Sequence, residues 1–167
     1  MLKIMGVTGF VFFIIASFLQ RRLGRLIGAV PGQEMKTAVQ VAQQNKARVA
    51  LIDQPLNITM SSLSRISIRE KLKLVRDLVL GFAGIGTEKV QFDLAKTPSS
   101  GFVEMAMKKV RERYPGLYKA LVADRNEYMA NALARIMKAE PESSIVAVVG
   151  AGHESEIIKL LKAKTKS

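Results

Sequence analysis

The sequence predicts an α/β domain, mostly helical with a small, largely parallel sheet. Three observations predict it. Arg48–Asp53 (RVALID) and Ile145–Val149 (IVAVV) are short apolar runs of strand length. Around them lie stretches whose apolar residues recur at helical spacing, and Gly- or Pro-containing breaks separate the two kinds of segment. Strands without polar alternation are those of a sheet buried on both faces, and helix followed by strand is the unit of such folds. With 167 residues, 49% of them hydrophobic, the chain fits one domain, taken as residues 1–167, and can bury a sizeable core.

The elements follow in order. Gly6 to Ile27 reads as one long helix, ended by Gly28 and by Pro31-Gly32, residues suited to a turn and a fresh helix start. Its first part, Ile4 to Leu19, is nearly all apolar but leads into Gln20-Arg21-Arg22-Leu23-Gly24-Arg25, not into the small-residue site that a cleaved secretory signal needs. The run also falls just short of the roughly 17 to 25 residues that span a bilayer, so a buried or membrane-resting helix is expected. Met35, Ala38, Val39 and Ala42 mark a second helix through Asn45, and the first strand follows. Pro55 and Asn57 break that strand, and a short helical stretch runs to Ile66. Ser67-Ile68-Arg69-Glu70 has the spacing of a capping box for a helix to about Val79. Residues 81–100 form the least patterned stretch, a loop expected to be mobile in its middle. Its glycines neither follow a strand nor open a helix, which argues against a phosphate-binding loop. Phe102, Val103, Ala106 and Val110 mark a helix interrupted at Pro115-Gly116, and Leu117 to Ala139 a longer one. After Pro141 come the second strand, the turn Gly150-Ala151-Gly152-His153 and a closing helix from Glu154 to about Lys162. Two strands alone are too few for a stable sheet, so the predicted sheet is incomplete.

The charge balance, 26 Lys plus Arg against 14 Asp plus Glu, gives a net charge of +12 and predicts attraction to anionic lipid, acidic peptides or nucleic acid. Nucleic acid is the least favoured: aromatics make up only 6%, there is no Trp, and no basic stretch interleaves with aromatics to form a stacking platform. The absence of Cys excludes disulfides, Cys-ligated zinc and thiol catalysis, and agrees with a reducing compartment. The expected location is cytoplasmic, peripheral to the membrane where the first apolar helix rests on it. A metal site would have to use His, Asp and Glu.

In open α/β sheets, ligands collect beyond the carboxyl ends of strands, and the two strands here end near Asp53 and His153. His153 is the only histidine. Gly150 and Gly152 allow a tight turn and leave amides exposed at the start of the last helix, which suits an anion or a polarised carbonyl. The competing reading is a hydrogen-bonded, non-catalytic histidine. Arg125 shares a helix face with Leu121, Tyr128, Met129 and Ala132 and so points inward, where it needs a carboxylate such as Asp53 or Glu34. It is either a structural ion pair or an arginine that orients a substrate carboxylate or carbonyl. Glu34 follows Pro31-Gly32 and is equally accounted for by its place at the positive end of a helix. Gly150-x-Gly152 between a strand and a helix is no dinucleotide fingerprint, because the third glycine position holds Ser155.

Taken together, Leu19-Gln20-Arg21-Arg22-Leu23-Gly24, Pro31-Gly32-Gln33-Glu34-Met35, Ala50-Leu51-Ile52-Asp53, Asp124-Arg125-Asn126-Glu127-Tyr128-Met129-Ala130 and Val148-Val149-Gly150-Ala151-Gly152-His153 resemble the archaeal branch of the TraB/PrgY pheromone-shutdown family. The resemblance runs from about Leu19 to Leu161. It implies a fold related to the Tiki metalloproteases and to EreA- and ChaN-like domains. It also implies a metal-dependent hydrolase or peptidase linked to the shutdown of peptide signals. By this resemblance His153, Glu34 and Arg125 are the catalytic candidates, His153 and Glu34 the metal ligands, and Asp53, Asn126, Gly150 and Gly152 the substrate-binding residues. The implied cofactor is a divalent metal: zinc, manganese or cobalt. The family's opening strand and its Gly-Thr-x-His motif have no counterpart here. The chain is therefore expected to be a form truncated at its N-terminus, lacking half the centre and inactive if that half is essential. Gln54-Pro55 after the aspartate and Glu154 after the histidine also depart from the pattern. The alternative function is a non-enzymatic module binding a peptide or a membrane surface through its basic charge and first helix. An incomplete sheet with an exposed edge further predicts a homo-oligomer.

Overall fold

The computed structural model describes residues 32–82 and 100–164. Gly32 adopts φ +85°, a left-handed conformation that favours glycine, and launches α1 (Gln33–Gln44). Asn45 closes it with a side-chain amide donating to the Val41 carbonyl (2.9 Å). No residue of α1 is buried. α2 (Leu56–Ser64) follows Pro55, whose carbonyl accepts from the Ile58 amide at 3.0 Å. Ser67 then starts α3 (Ile68–Phe82), its hydroxyl accepting from the Glu70 amide (3.2 Å), one half of the predicted capping box. The Glu70 carboxylate does not return to the cap. It reaches across the molecule and accepts from the amides of Gly116 (3.2 Å) and Leu117 (2.8 Å).

α4 (Ser100–Arg113) precedes α5 (Pro115–Tyr118), a π-helical turn (Lys119–Ala123) and α6 (Asp124–Ala139). The last three form one continuous helical path, because the residues at both junctions, Tyr118 and Asp124, keep right-handed helical angles. The π turn closes with the Asp124 amide on the Lys119 carbonyl. A π turn carries more residues than an α turn, so it re-aims the helix face beyond it. Before and within it, Leu117, Ala120 and Leu121 join Met60, Leu63 and Ile66 in one apolar cluster. Beyond it, Met129 and Leu133 join Ile157 of α7 (Ala151–Lys164) in a second, against which Ile52, Val149 and Leu161 pack. α6 and α7 are the most extensively paired helices among the described residues.

The predicted α/β class with a parallel sheet is overturned: among the described residues every regular element is helical and none is a strand. Arg48–Asp53 and Ile145–Val149 run as irregular chain without ladder bonds. Each contributes one apolar side chain, Ile52 or Val149, to the α6–α7 cluster, while Leu51 is 91% exposed and Val146 87%. Their composition reflects a suitability for pleated structure, but a strand also needs a neighbouring backbone, and these two do not pair. The predicted first helix, Gly6 to Ile27, lies outside the described residues. So does the predicted loop apart from its edges, which belong to α3 and α4.

Candidate functional site

Four side chains meet where the two irregular segments reach α6 and α7. Asp53 ends the first segment, His153 lies in the first turn of α7 just beyond the second, and Arg125 and Asn126 lie in the first turn of α6, directly beyond the π turn. Arg125 grips Asp53 bidentately, Nε donating to Oδ1 (3.0 Å) and Nη2 to Oδ2 (2.7 Å), while Nη1 donates to the Leu121 carbonyl at 3.2 Å. Five N–H donors belong to a guanidinium, so these bonds leave others for a ligand. The arginine holds the Asp53 carboxyl below its ordinary range, overcoming an opposing effect of partial burial.

His153 is the third residue of α7, its amide donating to the Gly150 carbonyl at 2.9 Å. The tight turn expected at Gly150 and Gly152 is instead the start of this helix. Neither glycine has a positive φ, and a Cβ at either would meet its neighbours only at ordinary contact distance. The imidazole Nδ1 lies 2.6 Å from Oδ1 of Asn126, a residue with no solvent exposure. An amide oxygen only accepts, so this contact assigns the proton to Nδ1 and leaves a lone pair on Nε2. Burial lowers the His153 pKa first, and the Arg125 charge adds to it, against a smaller opposing effect of Asp53. The ring is therefore neutral at pH 7. Nδ2 of Asn126 is buried without a partner, a polar group left open beside the ring.

The structure thus joins Asp53 to Arg125 and Asn126 to His153. It does not bring in Glu34, which sits exposed at the start of α1 with no hydrogen bond or ion pair to the other four. Among the described residues no three His, Asp or Glu side chains converge on a metal position. His153 offers one nitrogen, and Asp53 has both oxygens on Arg125. These residues do not fit a complete divalent metal centre, which commonly takes three protein ligands and a water. Gln54, which follows Asp53, helps set the site. Its amide donates to Asp53 Oδ1 (2.7 Å), and its buried side chain donates to Thr59 Oγ1 (3.0 Å), tying the end of the irregular segment to α2. The chemistry available is a neutral imidazole with a free basic nitrogen beside an anchored guanidinium.

Sequence reasoning missed that the π turn directs the Arg-Asn pair and that Asn126 fixes the imidazole. The adjacency of Arg125 and Asn126 was the available signal, since neighbouring helix residues point some 100° apart and so serve two different partners.

A sequence model of the TraB/PrgY/gumN family matches residues 16–166 of the chain. An uncharacterized protein of the archaeon Methanocaldococcus jannaschii is 33% identical over 160 residues, covering 92% of this chain and 37% of the relative. The chain thus spans just over a third of that relative's length. No solved structure matches the chain.

Proposed function

Because the chain belongs to the TraB/PrgY/gumN family, we propose that it carries the helix-borne part of a hydrolase site for peptides, with His153 as its base and Arg125 as its orienting cation. The observation that supports this reading most is the paired anchoring of the two groups: Asn126 directs Nδ1 of His153, and Asp53 directs Arg125. The neutral imidazole is suited to accept a proton from an attacking water at Nε2, since a base must be unprotonated and within hydrogen-bond reach of the proton it takes. Arg125 is suited to hold a peptide carbonyl or terminal carboxylate through its remaining N–H donors, and to favour negative charge building on the carbonyl oxygen. The peptide class is what the family resemblance implies. No step here runs through a metal.

A second reading, a non-enzymatic peptide-binding module, draws on the net charge of +12, which attracts acidic peptides. A mixed peptide pool separates the two. The full chain is incubated with the pool in EDTA, and in zinc, manganese or cobalt, and products are read by mass spectrometry. Cleavage lost in His153→Gln supports the hydrolase reading. Retention of peptides by wild type with no cleavage under any condition supports the binding module, and cleavage undiminished in His153→Gln overturns the assignment.

A further inference from the structure

α3 turns a row of polar residues toward the body, beside the half-buried Leu74 and Leu78. Glu70 holds the amides of Gly116 and Leu117. Lys73 donates to the Arg113 carbonyl (3.1 Å) and lies over the Tyr114 ring. Asp77 accepts from the Tyr114 hydroxyl (2.6 Å) and from Arg113 Nε (2.8 Å). Residues 70, 73 and 77 share one side of a helix, so this row of ionic and hydrogen-bonded contacts fixes which side faces the body. The opposite side is apolar and open. Ile68, Leu72, Val75 and Val79 follow one another at intervals of four, three and four, and Leu72 and Val79 are 62% and 61% exposed. An amphipathic helix ordinarily buries its apolar stripe. Here the body's contacts hold that stripe toward solvent.

We infer that this stripe is a docking seam for a helix of a partner protein, an amphipathic helix flanked by acidic residues. The spacing is that of the a and d positions of a heptad, with Leu72 and Val79 at a and Ile68 and Val75 at d. Such a seam is narrower than the apolar face of a helix resting on a membrane, and it carries β-branched residues where interfacial helices favour Trp, Phe and Leu. Its rim is basic. Arg69 and Arg76 take the two e positions, on a chain of net charge +12. At the g positions stand Leu78 and Lys71, whose Nζ donates to the Ser64 carbonyl at 2.9 Å and so keeps its charge near the body side of the rim. Arg76 remains 63% exposed at its side chain while bonded to Asp77. Pairing with a second copy would oppose Lys71 to Arg76 if parallel, or like residues to each other if antiparallel, and both arrangements repel. Acidic flanks convert the same rim into attraction.

The test uses a labelled peptide of three heptads with Leu at a and d and Glu at e and g, a matched peptide with Lys at e and g, and the full chain. Fluorescence anisotropy is expected to show binding of the acidic peptide, weakening with added salt. The basic peptide is expected to bind at least about tenfold more weakly, as is the acidic peptide to the Leu72→Gln, Val79→Gln double variant. Both replaced side chains are exposed, and circular dichroism checks that the variant keeps its helices. Equal binding of the two peptides, or of wild type and variant, overturns the inference. So does either of two other outcomes: a wild-type dimer that the double variant converts to monomer, which assigns the seam to a second copy, or binding to phosphatidylserine vesicles that the variant abolishes when no peptide binds, which assigns it to a bilayer.

Discussion

Replacing Gly116 by Ala sets two effects of opposite sign against each other. Ala is favoured over Gly within a helix by about 1 kcal/mol, so helix propensity alone predicts a more stable protein. The structure predicts the reverse. A Cβ at Gly116 would lie 2.8 Å from Oε2 of Glu70 and 3.3 Å from its Cδ, closer than the carboxylate can tolerate in place. The carboxylate ends a flexible side chain and can swing aside, so the cost of the change is the cost of pulling it from the Gly116 and Leu117 amides that it accepts from. Bonds to a charged acceptor contribute about 1.5–3 kcal/mol each, and at this partly buried position the pair together is taken as roughly 3 kcal/mol. The net expectation is a loss of about 2 kcal/mol, roughly a thirtyfold fall in the folding equilibrium. Urea unfolding of wild type, Gly116→Ala, Glu70→Ala and the double variant reads this as a cycle. Once Glu70 is gone, the added methyl should no longer harm and the two single costs should not add. A neutral or stabilising Gly116→Ala, or strict additivity, would refute the reasoning.

Further expectations follow from the site. Asn126→Leu removes the partner of His153 Nδ1, and because one such bond contributes about 1 kcal/mol net, the ratio of the two imidazole tautomers should move about fivefold toward the Nε2–H form by nitrogen NMR. An unchanged ratio would contradict the role given to Asn126. Arg125→Met removes a cation that lowers the His153 pKa, so the imidazole should titrate at higher pH than in wild type, and a lower value would count against the geometry. Stability should rise with pH below the ordinary histidine value near 6.5 and level off above it, because in that window the unfolded chain binds the proton that folded His153 refuses. His153→Gln should flatten that rise in urea unfolding. At lower pH the sign is the same for Asp77, held down to about 2 chiefly by the Tyr114 hydroxyl: its contribution is present above the ordinary value of 3.8 and fades as pH falls through 2.

The helices were legible because their signals are local. Gly32 at a helix start, the Ser67 cap and the helical spacing through residues 124–139 each rest on interactions within a few residues. The Arg125–Asp53 pair was legible for a different reason: a guanidinium facing inward needs a carboxylate, and few were available at the strand ends. The strands were misread because an apolar run records what a segment tolerates, while a ladder depends on another backbone that the run does not specify. Gly150–His153 was read as a tight turn ahead of a helix from Glu154 because glycines favour turns, whereas the helix already begins at Ala151. The outward stripe of α3 escaped notice for a related reason. Amphipathic spacing identifies a helix, but contacts from Arg113, Tyr114 and Gly116, remote in sequence, decide which face turns inward.

The central claim is that burial, with the Arg125 charge adding to it, keeps His153 neutral, and that Asn126 places its proton on Nδ1 and leaves Nε2 basic. With one histidine in the chain, a long-range nitrogen–proton spectrum of the uniformly labelled protein at pH 7 shows a single imidazole. The account predicts a protonated Nδ1 and an unprotonated Nε2. A proton on Nε2, or an imidazolium with both nitrogens protonated, would contradict it.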